Sequence, residues 1–251
     1  MRSLRSKNRE ARRIGLARAL SKQGVCSRAA AASMILAGRV RLDGRVVRDP
    51  EAPTTTASTI EVDGELLGTA LPVYLMLNKP RGLVTTARDE RDRETVYRCL
   101  RDSALPWVAP VGRLDQASEG LLLFTNDPAW AAAILDPARH VAKTYHVQVE
   151  GIPDEGKLAR LMTGIAVEGG EILSAASVTV VRHGARNAWL EVVLTEGKNR
   201  QIRRLLEAVG HEVLRLVRVE LGPLRLGSLV KGEWRHLTAT EVLAVTGAHA
   251  S

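Results

Sequence analysis

The sequence predicts an α+β fold in which a small helix-helix-hairpin domain precedes a larger domain built on a mixed, mainly antiparallel sheet. Two short helical segments that end at glycines, followed by an Asp-Gly turn, predict the small domain. Several later segments alternate apolar and polar residues with a period of two, and few stretches have helical periodicity. A chain of 251 residues is long enough for both parts.

The small domain is predicted to span residues 14–70. The segment IGLARALSKQG favours a helix that ends at Gly24, and Ser27 caps a second helix that ends at Gly38. The segments RVRL and RVV flank Asp43-Gly44, a dipeptide that tolerates the positive backbone angles of a tight hairpin. A second hairpin, IEVDGELL, closes the domain, and residues 68–72 form the linker.

The larger domain is predicted to span residues 71–251 and to begin with the strand VYLMLNKPRG, which Pro80 interrupts. The segments KTYHVQVE, AWLEVVLTE and HEVLRLVRVE alternate apolar and polar residues, which predicts strands with one packed face. The clearest helices are DPAWAAAIL and NRQIRRLLEAVG, the second of which ends at Gly210. A mainly antiparallel sheet with a few helices follows from this pattern.

The excess of positive charge lies in the N-terminal fifth of the chain. The whole chain has 36 basic and 28 acidic residues and a net charge of +8. Residues 1–50 contain 13 basic and 3 acidic side chains, a net of +10, so residues 51–251 carry a net of −2. We expect residues 1–13 to form a disordered, basic arm that attracts RNA, with a solvated tail of no function as the alternative.

Several classes of protein are disfavoured by what the sequence lacks. Two cysteines, 73 positions apart, and no apolar signal segment favour a reducing cytoplasm. The sequence contains no run of about 18 apolar residues, so it predicts no membrane-spanning helix. The histidines show no metal-ligand spacing, and neither a phosphate-binding glycine loop nor a GxSxG elbow occurs. We therefore expect no metal and no cofactor.

The segment PVGRLDQASEGLLLFTND contains the first candidate for chemistry. In an extended backbone Arg113 and Asp115 project to the same side. A guanidinium beside a carboxylate lowers the pKa of that carboxylate and keeps it ionised and nucleophilic. A structural ion pair at a turn is the alternative at this point.

Two further clusters are candidates for binding. Arg200, Arg203 and Arg204 have the spacing of one helical face, near a helix N-terminus where cations are disfavoured, which suggests an anionic partner or else a solvated face. In KTYHV, Lys143 and Tyr145 share one face of a strand, where the tyrosine either stacks on a base or fills the core. Aromatic residues make up 3% of the chain, which disfavours a broad aromatic platform for RNA.

These motifs together resemble the RsuA-type ribosomal RNA pseudouridine synthases. GRLDQASEGLLLFTND is similar to the catalytic-aspartate motif of that family, and SRAAAASMILAGRVRLDGRVV is similar to the S-four-type RNA-binding domain that many members carry. The resemblance continues through LNKPRG, KTYHV and EGKNRQIRRLLEAVG and covers residues 14 to 246. Ser118 departs from the family pattern, in which many members have threonine.

The resemblance implies isomerisation of a uridine to pseudouridine in ribosomal RNA, without a cofactor. It assigns Asp115 as the nucleophile, Arg113 as the side chain that displaces the target base, Tyr145 as its packing partner and Arg203 as the partner of the aspartate. The expected contacts to RNA are Lys22, Arg28, Arg39, Arg41, Arg200 and Arg204. The partner is ribosomal RNA or a ribosome assembly intermediate, with 23S RNA favoured over 16S RNA, and we expect a monomer.

Two alternatives compete with this interpretation. A non-catalytic RNA-binding protein of ribosome assembly explains the basic N-terminus equally well, but it gives no reason for Asp115, Tyr145 and Arg203 to occur together. A glycoside or nucleoside hydrolase also uses carboxylates at a sugar carbon, but it usually needs a second one. Glu119 is the nearest candidate for that role in the sequence.

Overall fold

The structure is a computed structural model that describes residues 13–68, 71–101 and 103–247. The predicted basic arm, residues 1–13, lies outside the described residues except for its last position. The chain divides into two compact units, Met1–Pro72 with Leu105–Val108, and Val73–Ala104 with Ala109–Ser251. No helix of the described residues is long and apolar enough to cross a membrane.

The first unit consists of two helices and two small sheets. Its elements are β1 (Ile14–Gly15), α1 (Leu16–Lys22), α2 (Arg28–Leu36), β2 (Val40–Leu42), β3 (Arg45–Val46), β4 (Pro53–Thr54), β5 (Ile60–Val62) and β6 (Glu65–Leu66). The strand order is β3-β2-β5-β6, and β1 pairs separately with β4. Wholly buried Leu16, Leu20, Ala31 and Ile35 join the two helices in one core.

Local signals in the sequence explain these elements. The Ser27 side chain accepts a hydrogen bond from the Ala30 N–H at 3.2 Å, which caps α2 as predicted. Asp43 and Gly44 have φ values of 51° and 77°, so both adopt the left-handed conformation that a two-residue hairpin requires. The unpredicted feature is the return of residues 105–108 to this unit, where the Trp107 N–H donates to the Gly24 carbonyl at 2.7 Å.

The second unit is a nine-stranded sheet with helices packed on it. Its helices are α3 (Pro128–Leu135), α4 (Glu155–Thr163), α5 (Gln201–Glu207) and α6 (Ala239–Thr246), with 3-10 turns at Val96–Leu100 and Pro137–Arg139. Its strands are β7 (Tyr74–Lys79), β8 (Ala109–Val111), β9 (Glu119–Thr125), β10 (Lys143–Glu150), β11 (Ile165–Ala166), β12 (Ile172–Leu173), β13 (Ser177–His183), β14 (Asn187–Leu194), β15 (Val213–Leu221), β16 (Leu224–Arg225) and β17 (Trp234–His236). The β11–β12 hairpin is separate from the large sheet.

The large sheet has the order β13-β14-β10-β15-β9-β7-β17, with β8 on β9 and β16 on β15. Every pairing in it is antiparallel except that of β9 with β15. The expected mixed, mainly antiparallel sheet is confirmed. β14 alternates buried and half-buried residues along its whole length, as the period-two pattern predicted.

The parallel contact between β9 and β15 depends on Gly120. This glycine has φ +99°, and a β-carbon at its position would lie 2.2 Å from the Arg218 carbonyl oxygen. The obstacle is backbone, so no side-chain rotation relieves it. Only glycine allows β15 to pass this close to β9.

We predict that Gly120→Ala lowers the free energy of unfolding by more than about 3 kcal/mol, because backbone strain and a backbone clash add. Gly169→Ala is the matched control, because Gly169 also has a positive φ, +89°, but a β-carbon at its position would have no atom within 4 Å. It should cost about 1 to 2 kcal/mol. Urea unfolding of both variants measures the difference, and equal losses would show that the β9–β15 contact tolerates a side chain.

Candidate active site

A cavity of about 340 Å³ opens in the second unit beside the loop that joins β8 to β9. Its walls come from that loop, from β10 and β15, and from the start of α5. The lining includes five of the ten residues to which the sequence analysis assigned a role in catalysis or RNA binding, namely Arg113, Asp115, Tyr145, Arg200 and Arg203. Residues up to 90 positions apart in the chain thus meet at one site.

Asp115 lies at the rim of this cavity on a loop with alternating exposure. Arg113 and Asp115 are exposed, whereas Leu114 between them is 6% exposed and anchors the loop. The Thr85 hydroxyl donates to the Leu114 carbonyl at 2.7 Å, and the Ser118 N–H donates to the Asp115 carbonyl at 3.0 Å. The backbone is held from both sides, and the Asp115 carboxylate is directed to the outside of the loop.

Lys79 supports the same loop from below. This lysine is fully buried, and its ammonium donates to the carbonyls of Ser118 at 2.8 Å, Pro80 at 3.0 Å and Asp115 at 3.2 Å. Burial lowers the pKa of Lys79 to about 8, although the nearby carboxylates of Glu119 and Asp115 favour the charged form. The ammonium therefore stays mostly charged at neutral pH. The sequence analysis missed this residue, whose only signal is a lysine at the end of an apolar strand.

Tyr145 contributes the floor of the cavity from the middle of β10. Its side chain is 9% exposed and lies on the buried face of the strand, in register with Val192 on β14 and Arg218 on β15. Lys143 and Arg218 also line the cavity. The sequence predicted that Lys143 shares one face of the strand with Tyr145, but it gave no indication that Arg218 lines the same cavity.

Arg203 lies on the cavity wall but contacts backbone rather than the aspartate. Its guanidinium donates to the carbonyls of Val213 at 3.2 Å and Ala117 at 3.3 Å. Burial lowers the pKa of Arg203, as does Arg200, while Asp115 raises it. Within the described residues Arg203 and Asp115 form no salt bridge, so their interaction here is through space.

The three arginines expected on one helical face are separated, so that expectation is wrong. Helix α5 begins at Gln201, and Arg200 precedes it in the left-handed conformation with φ 48°. The side-chain amide of Gln201 donates to the Ser174 carbonyl at 2.9 Å, which fixes the start of the helix. Arg204 forms a salt bridge of 2.7 Å with Glu171 and does not line the cavity.

The cationic residues predicted in the first unit differ in their partners. Arg39 makes two hydrogen bonds to the Asp63 carboxylate, at 2.9 and 2.5 Å. Arg28 lies 4.0 Å from Glu51, and both side chains are mostly exposed. Lys22 and Arg41 are exposed and form no salt bridge with the described residues. Among the four cations of this unit that the sequence singled out, these two are the most available to a polyanion.

Glu119, the candidate for a second carboxylate, is engaged elsewhere. It is 3% exposed and accepts two hydrogen bonds from Arg215, at 2.9 and 3.1 Å, and one ion pair from Lys231. Burial by itself raises the pKa of Glu119, but these cations outweigh burial and the pKa falls below its usual value. Among the described residues that line the cavity, Asp115 is the only carboxylate.

A second, more open depression of about 590 Å³ adjoins the first at Arg113 and Asp115. Its wall is the loop after β7, and it includes Arg88, Arg91 and Arg93. Arg93 is paired with Asp89 at 2.7 Å. The sequence analysis did not anticipate this arginine-lined groove, because its position beside Asp115 depends on the tertiary fold.

Known proteins are similar in sequence to this chain over most of its length. Residues 73–208 match the RNA pseudouridylate synthase family, and residues 14–54 match the S4 domain. The ribosomal large subunit pseudouridine synthase B of Bacillus subtilis (strain 168) is 37% identical over 229 residues, which are 90% of this chain and 93% of the relative. An uncharacterized RNA pseudouridine synthase of Aquifex aeolicus (strain VF5) is 38% identical over 89% of this chain and 90% of its own length.

A solved structure supports the fold as well. A crystal structure of a pseudouridylate synthase aligns with 92% of this chain and 99% of its own length, with 28% identity and a TM-score of 0.64. The similarity therefore covers both units of the chain.

We predict that Lys79→Met destabilises the protein by about 2 kcal/mol, because three carbonyl oxygens lose a charged donor in a buried place. Lys157→Met is the control, since Lys157 is only half-buried, at the edge of α4, where its ammonium lies 3.1 Å from the His211 ring. It should cost less than about 0.5 kcal/mol. Thermal and urea unfolding compare the two variants, and a Lys79 variant as stable as the control would contradict this assignment.

Proposed function

The chain belongs to the RNA pseudouridylate synthase family, and we propose that it isomerises one specific uridine of ribosomal RNA with Asp115 as the nucleophile. We propose 23S RNA rather than 16S RNA as the substrate. The observation that carries the proposal is the cavity itself, in which Asp115 is the only carboxylate among the described lining residues and Tyr145 lies at the floor.

The chemistry needs only what this cavity holds. The bond from uracil N1 to the ribose carbon C1′ breaks, the base turns, and C5 bonds to the same carbon while its proton is lost and N1 gains one. Composition is unchanged, so no cofactor takes part. The Asp115 carboxylate adds covalently to C1′ or to uracil C6, which divides one difficult step into two easier ones.

The target base must leave the helical stack before it reaches Asp115, at a cost of a few kcal/mol. Arg113 is exposed next to Asp115, where it can occupy the space that the base vacates. Tyr145 packs against the base from the cavity floor. Arg203 orients the Asp115 loop through the Ala117 carbonyl and raises the local positive potential.

The substrate proposal rests on two supports. The Bacillus subtilis relative is named as a ribosomal large subunit pseudouridine synthase and covers nearly the whole chain. The match to the S4 domain lies in the part of the chain that carries the excess positive charge. We propose residues 14–70 as the RNA-binding domain and 71–251 as the catalytic domain. A ribosome assembly intermediate as partner, a monomeric state and a cytoplasmic location stay predictions.

The hydrolase alternative needs a second carboxylate at the reacting carbon. Glu119 is buried, bound by Arg215 and Lys231, and absent from the cavity lining, so it does not supply one. A non-catalytic binder needs no exposed carboxylate among cations. Both alternatives are separated from isomerisation by mass, because isomerisation leaves the mass of the RNA unchanged and hydrolysis removes uracil.

We predict that Asp115→Asn abolishes pseudouridine formation while it preserves folding and RNA binding, because the amide is nearly isosteric but cannot act as the nucleophile. The assay converts unmodified 23S and 16S RNA transcripts and maps pseudouridine by chemical labelling. Asp92→Asn is the control, since Asp92 is exposed, lies outside the cavity lining and has φ 53°, which asparagine tolerates.

Residual turnover of the Asp115 variant within about tenfold of the unaltered protein would remove Asp115 from the role of nucleophile. Conversion of 16S RNA alone would overturn the choice of substrate. Loss of free uracil from the RNA would instead establish a hydrolase.

We also predict that the double change Lys22→Gln and Arg41→Gln weakens binding to ribosomal RNA and flattens its salt dependence. Each lost phosphate contact should reduce the slope of log affinity against log salt by roughly 0.7 to 0.9, so the pair should reduce it by about 1.5. Arg39→Gln should change the slope less, because Asp63 already neutralises Arg39. Affinities measured across a salt series decide this, and an unchanged slope in the double variant would show that this surface does not touch RNA.

A further inference from the structure

Arg218 is a buried cation with an unused donor. It is 4% exposed and lies on β15, where its Nε donates to the Leu121 carbonyl at 2.8 Å. Its Nη2 is buried and has no hydrogen-bond partner among the described residues. An unsatisfied buried donor on a charged group is destabilising and is rare in folded proteins. Since Arg218 lines the cavity, a ligand in the cavity is the available acceptor.

Lys143 lies next to Arg218 on the same face of the sheet. Tyr145 is the register partner of Arg218, and Lys143 is two residues before Tyr145, so all three side chains project to one side. The register shifts between Thr144 and Tyr145, a bulge that redirects side chains at this point. Burial lowers the pKa of Lys143, and the nearby Arg218 charge lowers it further. The two cations are close enough to repel each other.

No carboxylate compensates this pair within the described part of the chain. The nearby Glu220 is paired with Arg225 at 3.1 Å, and Asp115 is the only acid among the described residues of the cavity lining. The Lys143 ammonium donates to one carbonyl, that of Val141, at 2.9 Å, and an ammonium has three donors. Arg218 and Lys143 thus present donors only, and this pair requires a ligand that presents acceptors.

Arg218 and Lys143 lie inside the cavity rather than at its rim, and this position determines which part of a nucleotide they contact. Exposed arginines, Arg113 and Arg200, stand at the rim, and the adjoining groove adds Arg88 and Arg91. A phosphate remains in the RNA backbone and meets those outer cations. The base is the part that leaves the stack and enters the cavity.

We propose that Arg218 and Lys143 donate hydrogen bonds to the carbonyl oxygens of the target uracil, and that they exclude cytosine. Uracil offers acceptors at O2 and O4, whereas cytosine replaces O4 with an amino group. The donor that faces O4 of uracil would face the amino group of cytosine, so two donors would meet without an acceptor, while the contact to O2 would remain. An unpaired buried donor of this kind discriminates strongly between similar ligands. This assignment rests on the proposed function, and it adds the selection of the base to the chemistry of Asp115.

The test measures binding of uridine 5′-monophosphate and cytidine 5′-monophosphate to the full chain by calorimetry. The unaltered protein should bind the uridine nucleotide at least tenfold more tightly. Arg218→Lys keeps the buried charge and can still reach the Leu121 carbonyl, but it loses the second arm of the guanidinium. Lys143→Met keeps the length of the side chain and loses the ammonium. Each variant should bring the ratio of the two affinities close to one, chiefly through weaker binding of the uridine nucleotide.

Arg225→Lys is the matched control, because Arg225 is 81% exposed and belongs to the neighbouring strand β16. It should leave both affinities unchanged. Melting temperatures check folding, and if Arg218→Lys does not fold, Lys143→Met decides alone. A merely structural role would weaken both nucleotides together without a change in their ratio.

Three outcomes overturn the proposal. They are the absence of a preference in the unaltered protein, unchanged affinities in the variants, and an equal loss of affinity for both nucleotides, which would indicate that the pair binds phosphate or is only structural. Conversion of ribosomal RNA by the unaltered protein is measured separately. If that conversion fails while the preference for the uridine nucleotide still depends on Arg218 and Lys143, the binding site is supported and the proposed reaction is contradicted.

Discussion

The parallel contact between β9 and β15 is the constraint on which the site depends. It joins two antiparallel groups of strands, β7, β8 and β17 on one side and β10, β13 and β14 on the other. Asp115 precedes β9, while Tyr145 and Arg218 lie on the other side of the junction. Because Gly120 permits backbone contact there, the loop that carries the carboxylate stands beside strands that come much later in the chain. Without that junction the two groups of strands would have no shared cavity.

Once the junction exists, the Asp115 loop is held through its backbone rather than through its carboxylate. Lys79 binds the carbonyls of Asp115 and Ser118, and Arg203 binds that of Ala117. These cations use their donors on backbone carbonyls, so neither forms a salt bridge with the Asp115 carboxylate among the described residues. A direct ion pair would have to break before the carboxylate attacked. Arg203 holds the backbone of the loop, and the Asp115 carboxylate is kept for the reaction. This division explains why the predicted pair of Arg203 with Asp115 is absent among the described residues.

The sequence predicted what local rules determine and missed what tertiary contacts determine. The cap at Ser27 and the turn at Asp43-Gly44 are written within a few residues, and both were found as expected. The role of Lys79 depends on a loop 36 positions away, and that of Arg218 on a strand contact 97 positions away, so no window of sequence contains either. The arginines around α5 were grouped because a longer helix was assumed. Arg204 instead forms a salt bridge with Glu171, which lies outside the segment from which the helix was predicted.

The distribution of ion pairs explains how residues 51–251, with a net charge of −2, can still present a site for a polyanion. Several acidic residues of this range form salt bridges with basic residues outside the cavity lining, as in Arg204 with Glu171, Arg215 with Glu119, Arg225 with Glu220 and Arg235 with Glu241. Of the described cations that line the cavity, Lys198 forms salt bridges with Glu171 and Glu196, whereas Arg113, Lys143, Arg200, Arg203 and Arg218 form none with described residues. Coulomb interactions fall with distance and are screened within about 10 Å, so this local imbalance outweighs the total charge. A nucleotide that approaches the cavity rim at Asp115 therefore meets a positive electrostatic potential, although the net charge of residues 51–251 is negative.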